Sequence, residues 1–233
     1  DQVGLYTFPV GPRLEPTTDH GAVSKLVDTV VGHLQNIPGD FNLTPSEIID
    51  ITAETGRSRA NSVGRSSGPA TALTGVEGDV TRRVQIRECG TTDIRCVDEI
   101  QTEAQSLAFY LEGRATAGLN GLRSLIRLLD AEPGRKTVVL FSAGIPSTDR
   151  PGGRPEVGDL AKQLGQDAAA TNTTIYVVHL DTGAWRQMSA ETRKTDNPPV
   201  SRSRDNAVTG RLLSEFSGAS GGTLMRVVMG GGE

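Results

Sequence analysis

The chain has 233 residues, a length that suits one α/β domain with an insertion or two small domains. Its formal net charge of −4 and its aromatic content of 4% are not those of a nucleic-acid-binding protein, which needs a basic surface and aromatic platforms for base stacking. No apolar run approaches the ~20 residues of a membrane-spanning helix. We therefore expect a soluble segment with no nucleic-acid partner and no transmembrane helix.

The first residues, "DQVGLYTFPVG", open directly on a β-like run. The β-branched and aromatic content of Val3 to Val10 predicts a buried strand. Because a chain rarely opens on a core strand, and no signal-peptide pattern is present, we expect more protein upstream of Asp1. A helix is predicted next over "HGAVSKLVDTVVGHLQ", with Asp19 as its cap.

A second helix is predicted over "TPSEIIDITAETG". Thr44 is its expected N-cap, Pro45 its first residue, and Glu47 the partner of Thr44 in a capping box. Gly56 follows as a stop signal. Residues 57–80 are rich in Gly, Ser and Arg and have no hydrophobic periodicity, which predicts a flexible insertion.

Two cysteines, Cys89 and Cys96, lie seven positions apart in "RECGTTDIRC". This spacing suits a small disulfide loop closed around turn-forming residues, and the alternative is a pair of free thiols in a reducing cytosol. We favour the disulfide because no histidine lies nearby, and a disulfide implies an oxidising compartment. A zinc site would need two further ligands.

The strongest hydrophobic periodicity in the sequence runs over residues 97–132. Every step between its apolar positions is three or four residues, which predicts one long helix that Pro133 and Gly134 end. Glycines within residues 113–121 weaken the middle of this helix, so we expect a kink or a break there.

The last hundred residues alternate between strand-like and helix-like segments. The strands are predicted at "KTVVLFS", "TTIYVVHL" and "GGTLMRVV", the first two of them fully buried. The helices are predicted at "RPEVGDLAKQLGQDAAA" and "NAVTGRLLSEFSGAS". This order predicts an α/β, Rossmann-like, doubly wound fold over residues 1–233, with a mostly parallel sheet flanked by helices. A ligand would bind at the carboxyl ends of the strands.

Two kinds of chemistry are considered for the stretch "GRKTVVLFSAGIPSTD". Ser142 ends a strand before a glycine, as a hydrolase nucleophile does, and His179 ends the next strand. However, Leu140 stands where the nucleophile motif requires glycine. No glycine-rich phosphate-binding motif follows any strand, and "RPGGRP" is better explained as a solvated turn.

Six segments follow one another in a characteristic order: "DQVGLYTF", a helix, "GRATAGLNGLRSLIRLL", "GRKTVVLFSAG", "TTIYVVHLD" and "LLSEFSGASGGTLMRV". This ordered set resembles a von Willebrand factor type A domain. The resemblance is closest to divergent von Willebrand factor A-related proteins that some bacteria secrete, and it covers most of the chain outside the insertion. It implies a non-catalytic protein-binding or adhesion domain of an extracellular, periplasmic or cell-envelope protein, with a protein as its partner.

The resemblance also implies a place for a metal ion. In that family a cation at the carboxyl ends of the strands completes its coordination shell with a carboxylate of the partner. The family motif Asp-x-Ser-x-Ser is absent here, and Ala143 stands where the family has an aspartate. Thr116 matches the threonine of the family site, Ser142 is a neutral residue next to Ala143, and Asp149 and Asp181 lie near the same rim. Because neutral groups cannot replace carboxylates around Mg²⁺, we expect a degenerate site and no cofactor unless upstream sequence restores it.

The other candidate residues have less specific explanations. His20 and His33 are expected to be surface or capping groups, and His179 to satisfy a buried hydrogen bond. Trp185, in a polar loop, is a candidate anchor for a partner or for local packing. Two alternatives to a binding domain stay open: a structural subunit of an envelope assembly, and a serine hydrolase that uses Ser142.

Overall fold

The computed structural model describes residues 1–31, 37–63, 78–90, 94–181 and 199–228. Over these ranges the chain is mixed α/β, as predicted. Its elements, in chain order, are β1 Val3–Tyr6, β2 Arg13–Thr17, α1 His20–Val27, α2 Pro45–Val63, α3 Asp79–Cys89, α4 Ile94–Asp130, β3 Lys136–Ser142, α5 Gly158–Ala170, β4 Thr173–Asp181, α6 Pro199–Ala219 and β5 Leu224–Val228. None of the described helices combines the length and the apolar character needed to cross a membrane.

The main sheet is parallel and has the strand order β3-β4-β5. Helices α4, α5 and α6 pack against one of its faces and form a core that we call the sheet cluster, whose largest buried members include Leu119, Ile126, Leu164, Ile175, Leu212 and Phe216. The other face is exposed, and the residues of β3 alternate between the two environments. The predictions that β3 and β4 are fully buried are therefore wrong, because the described helices cover only one face, and Tyr176 of β4 is 40% exposed on the other.

The amino-terminal segment differs from its prediction. The strand predicted over Val3 to Val10 ends at Tyr6, because the chain reverses through Pro9 and Gly11 to form β2. β1 and β2 pair with each other, antiparallel, and form a sheet separate from β3-β4-β5. No residue of β1 is buried. Helix α1 ends at Val27, earlier than predicted, and residues 32–36 lie outside the described residues.

Helix α2 begins as predicted and ends later. Thr44 and Glu47 form the expected capping box, in which each backbone N–H donates to the side chain of the other residue, at 3.0 and 3.3 Å. Gly56 does not stop the helix, which continues to Val63. A Cβ atom on Gly56 would lie 3.0 Å from the carbonyl oxygen of Gly152. The glycine is therefore needed for a close approach between two backbones, not for a helix end.

The predicted insertion over residues 57–80 contains helical residues at both ends, and residues 64–77 lie outside the described part of the chain. Helix α3 was not predicted. Its first turn is held by Glu54 of α2, whose carboxylate accepts hydrogen bonds from the backbone N–H groups of Val80 and Thr81, both at 3.2 Å. This stabilisation comes from a distant residue, so the local sequence does not reveal it.

Helix α4 is a single uninterrupted helix of 37 residues, without the break expected near residues 113–121. Its amino-terminal half packs with α2 and α3 in a second core, which we call the helical cluster and which includes Ile48, Ile51, Val84, Ile100 and Leu107. Its carboxyl-terminal half belongs to the sheet cluster through Ala115, Leu119 and Ile126. Packing on both halves offsets the roughly 1 kcal/mol that each interior glycine costs relative to alanine.

The later helices begin at other residues than predicted. Helix α5 begins at Gly158 and not at Pro155, and α6 begins at Pro199, before the predicted start at Asn206. The polar loop that contains Trp185 lies outside the described residues.

Cys89 and Cys96 lie at bonding distance for a disulfide, with Cα atoms 6.5 Å apart. The pair joins the end of α3 to the first turn of α4, and Cys96 is buried in the helical cluster. A pair in this arrangement is compatible with an oxidising compartment.

We predict that the double substitution Cys89→Ala and Cys96→Ala lowers the free energy of unfolding by about 2–3 kcal/mol, because the unfolded chain regains the entropy of a short closed loop. Urea unfolding of the two proteins measures the difference. Addition of a reductant to the wild type should give the same loss and should leave the double variant unchanged. A wild type that is insensitive to reductant would contradict the prediction.

Candidate functional site

The polar residues at the carboxyl end of the parallel sheet form the candidate site. Ser142 ends β3 and Asp181 ends β4, and because the strands are parallel, both lie at the same edge. Asp149 lies in the loop that follows β3. Thr116 lies in the middle of α4, and no hydrogen bond in the described part of the chain joins it to these three residues.

Asp149 is engaged by an arginine of α6. Nη2 of Arg204 donates to Oδ1 of Asp149 at 2.6 Å, and Nη1 of the same guanidinium pairs with Oδ2. This bidentate contact holds the pKa of Asp149 below its ordinary value. Nη2 of Arg204 also donates to Oδ1 of Asp50, a buried carboxylate of α2, at 3.0 Å. One guanidinium therefore neutralises carboxylates from two separate segments.

The same carboxylates attract a second arginine. Nε of Arg150, in the loop after β3, lies 3.2 Å from Oδ1 of Asp50. The Arg150 side chain is 41% exposed, whereas that of Asp50 is only 9% exposed. Asp50 thus sits beneath two guanidinium groups, one of which is open to solvent on its outer side.

Asp181 is held by α6 in a similar way. Its side chain is 4% exposed, and its Oδ2 accepts a hydrogen bond from Nδ2 of Asn206 at 2.8 Å. Nη2 of Arg202 lies 3.8 Å from the same oxygen. Arg202 and Asn206, four positions apart on one side of α6, therefore both contact the end of β4, whereas Arg204 between them contacts Asp149 and Asp50.

Ser142 and His179 are neighbours in the sheet but are engaged elsewhere. The two residues are register partners on β3 and β4. The Ser142 hydroxyl accepts a hydrogen bond from the backbone N–H of Gly144 at 3.1 Å. The ring of His179 lies against the backbone of Ala143, and its Nδ1 has no hydrogen-bond partner among the described residues. No Ser142–His179 hydrogen bond occurs in the part of the chain that the structure describes.

His179 is buried at 1% exposure between two glycines. A Cβ atom on Gly144 would lie 3.2 Å from Nε2 of His179, and one on Gly210 would lie 3.2 Å from Nδ1. Gly144 also has a φ of +112°, which a residue with a side chain rarely adopts. Burial lowers the pKa of His179, and the charge of Arg226 lowers it further.

These contacts decide whether a divalent cation fits. Asp149 is paired with a guanidinium, Asp181 accepts from an amide, and Ser142 and Thr116 are neutral. No group of three or more His, Cys, Asp or Glu side chains in the described ranges is arranged to hold a metal ion. The donor set at this edge does not fit Mg²⁺, which requires oxygen ligands anchored by one or two available carboxylates.

The charged residues that organise the site were not identified from the sequence. Asp50 lies in the interior of a predicted helix, and Arg202 and Arg204 lie in a segment predicted to be a loop. The sequence signal for the two arginines is the charged run "SRSRDN". This run lies in a helix because α6 begins at Pro199, earlier than predicted. Trp185 lies outside the described residues, so its role as a partner anchor stays a prediction.

Comparisons with protein-family models, with curated proteins and with solved structures gave no match for this chain. The resemblance to von Willebrand factor A domains therefore depends on the sequence pattern alone.

We predict that Arg204→Met lowers the free energy of unfolding by about 1–3 kcal/mol, because it leaves the buried Asp50 with fewer compensating contacts. Asp149→Asn is the matched control. Asp149 is more exposed than Asp50, so its substitution should lower the free energy of unfolding by less than about 1 kcal/mol. Urea unfolding of the three proteins measures both values, and equal losses for the two variants would contradict the prediction.

We predict that stability falls as the pH drops from 7 towards 5. The pKa of His179 in the folded state is below its ordinary value of 6.5, so the unfolded chain takes up the proton first. Each unit of difference between the pKa of His179 in the unfolded chain and in the folded chain corresponds to about 1.4 kcal/mol in the free energy of unfolding. His179→Gln should reduce this pH dependence, whereas His20→Gln, at an exposed position, should preserve it. Identical slopes for wild type and His179→Gln in unfolding measured against pH would contradict the prediction.

Proposed function

We propose that this chain is a non-catalytic, protein-binding domain with a von Willebrand factor A-like fold. The single observation that carries the proposal is the bridge from Arg204 to Asp50 and Asp149. At the strand ends, where this family places a cation, a guanidinium supplies the positive charge. The recognition edge therefore works without a metal cofactor and without a catalytic residue.

The partner in this proposal presents acidic side chains. A bound metal ion attracts a carboxylate of the partner, and an arginine does the same through a bidentate pair of hydrogen bonds. The side chain of Arg150 is 41% exposed and that of Arg202 is 34% exposed, and each lies beside a buried carboxylate, Asp50 and Asp181 respectively. Their outer sides are available to a partner at the edge of the sheet.

The proposed location is extracellular, periplasmic or in the cell envelope of a bacterium. Two observations support it: the close approach of Cys89 and Cys96, and the sequence resemblance to secreted proteins.

A second candidate function is a structural subunit of a larger envelope assembly. The observation that favours it is the exposed face of the β3-β4-β5 sheet, which carries Val139, Phe141 and Met225 at 53%, 67% and 64% exposure. Permanent assemblies bury larger and more apolar surfaces than transient partners do.

We predict that an affinity-tagged wild-type domain captures an acidic partner from an extract of its source organism, and that EDTA does not prevent the capture. The double substitution Arg150→Glu and Arg202→Glu should abolish it, because the rim then repels carboxylates. Arg211→Glu is the matched control, since this arginine is exposed elsewhere on α6 and its reversal should leave capture intact.

Two results would overturn the proposal. One is micromolar binding of Mg²⁺, Mn²⁺ or Ca²⁺ in isothermal titration calorimetry, or a capture that EDTA abolishes, because either would restore a metal-dependent site. The other is covalent labelling of Ser142 by a fluorophosphonate probe, which would identify the chain as a serine hydrolase.

A further inference from the structure

The exposed face of the β3-β4-β5 sheet is an apolar surface that the candidate site does not use. We call it the open face and define it by its five large exposed side chains, Val139, Phe141, Tyr176, Met225 and Val227. Their exposures are 53%, 67%, 40%, 64% and 37%. The strand register makes the patch contiguous, because Val139 lies beside Tyr176 while Phe141 and Met225 flank Val178.

The topology explains why the described helices leave this face bare. The strands follow one another across the sheet in the order β3-β4-β5, and their connections contain α5 and α6. Right-handed crossovers that advance in one direction place their helices on the same face. Both helices accordingly pack in the sheet cluster, on the side opposite to Phe141. Parallel sheets are nearly always covered on both faces, so the open face is a surface that needs a cover.

The chemistry of the open face suits contact with an identical surface. The charged residues of the three strands, among them Lys136, Asp181 and Arg226, occupy register positions of the opposite face. The open face itself carries aliphatic, aromatic, Thr and Met side chains and no charge. Two copies can therefore approach without like-charge repulsion and without burying an unpaired ion.

The area is consistent with a weak but specific dimer. A fully covered aromatic side chain buries about 150–250 Å², and Val and Met bury less, so two aromatic and three aliphatic or Met side chains that are about half exposed offer on the order of 400 Å². Two copies, together with the flanking Thr137 and Val178, bury on the order of 1,000 Å², at the lower limit for a specific interface. A patch of about 400 Å² lies within the range of the largest apolar patches on monomeric proteins, which are often functional.

We propose that the open face binds the open face of a second copy of this chain, forming a two-fold symmetric dimer with sheet packed against sheet. Such an isologous contact uses the same side chains on both copies. It leaves the carboxyl edge of each sheet free at the border of the interface. The dimer does not depend on the partner-binding role of Arg150 and Arg202, so either proposal can fail without the other.

Sedimentation velocity over the micromolar concentration range tests the dimer. The wild type should show a monomer–dimer equilibrium. Phe141→Lys and, as a second variant, Met225→Glu should each weaken association about 30-fold or more, because each places a charge in the centre of the contact. Leu128→Lys is the matched control: it introduces the same charge at a side chain of α4 that is 58% exposed, and it should leave association unchanged. Circular dichroism and thermal unfolding verify that each variant is folded.

Cross-linking then locates the contact. Tyr176 lies on the central strand, so Tyr176→Cys should be joined to its counterpart by a short bis-maleimide reagent, whereas Leu128→Cys should not. A wild type that stays monomeric throughout the concentration range would overturn the proposal and would favour a different protein as the cover. A dimer that survives both Phe141→Lys and Met225→Glu, or that cross-links through Leu128→Cys only, would overturn it as well.

Discussion

A carboxylate removed from water must be given a compensating charge or enough hydrogen bonds, and this constraint organises the carboxyl edge of the sheet. Asp50 is buried on α2, and the guanidinium of Arg204 reaches it from α6 while also holding Asp149. Arg204 thereby binds three segments together. The charge that neutralises the edge belongs to the polypeptide, so the position of α6 relative to α2 and the charge at the carboxyl edge of the sheet depend on the same contact.

A second contact joins the same two helices. The carboxylate of Asp205 accepts a hydrogen bond from the backbone N–H of Ser46 at 2.8 Å, at the first turn of α2, where a helix dipole favours negative charge. Burial nevertheless raises the pKa of Asp205, so desolvation outweighs the favourable contacts. Neighbouring residues of α6 thus make opposite electrostatic contacts, Arg204 with a carboxylate and Asp205 with a helix terminus. Together they fix how the helical cluster sits on the α/β layer.

The parts of the fold that the sequence predicts are those with local causes. The apolar runs of β3 and β4 and the capping box of α2 depend on residues within each segment, and they form where expected. Helix α2 continues through Gly56, which lies against the backbone of Gly152, and α3 is held by Glu54. Both features depend on groups distant in sequence, so the local pattern does not predict them. The same limit applies to the site. Asp149 and Asp181 are identifiable from the sequence as carboxylates near strand ends. Their arginine and asparagine partners lie on α6, whose start the sequence pattern places too late.

The continuity of α4 has a consequence for how the molecule comes apart. One half of the helix completes the helical cluster and the other half completes the sheet cluster, with no interruption between them. Neither core can lose its share of α4 without exposing apolar surface at the junction, so partial melting of one core removes support from the other. Two separate cores are in this way made into a single cooperative unit, and slow amide hydrogen exchange should extend across both halves of the helix to a similar depth.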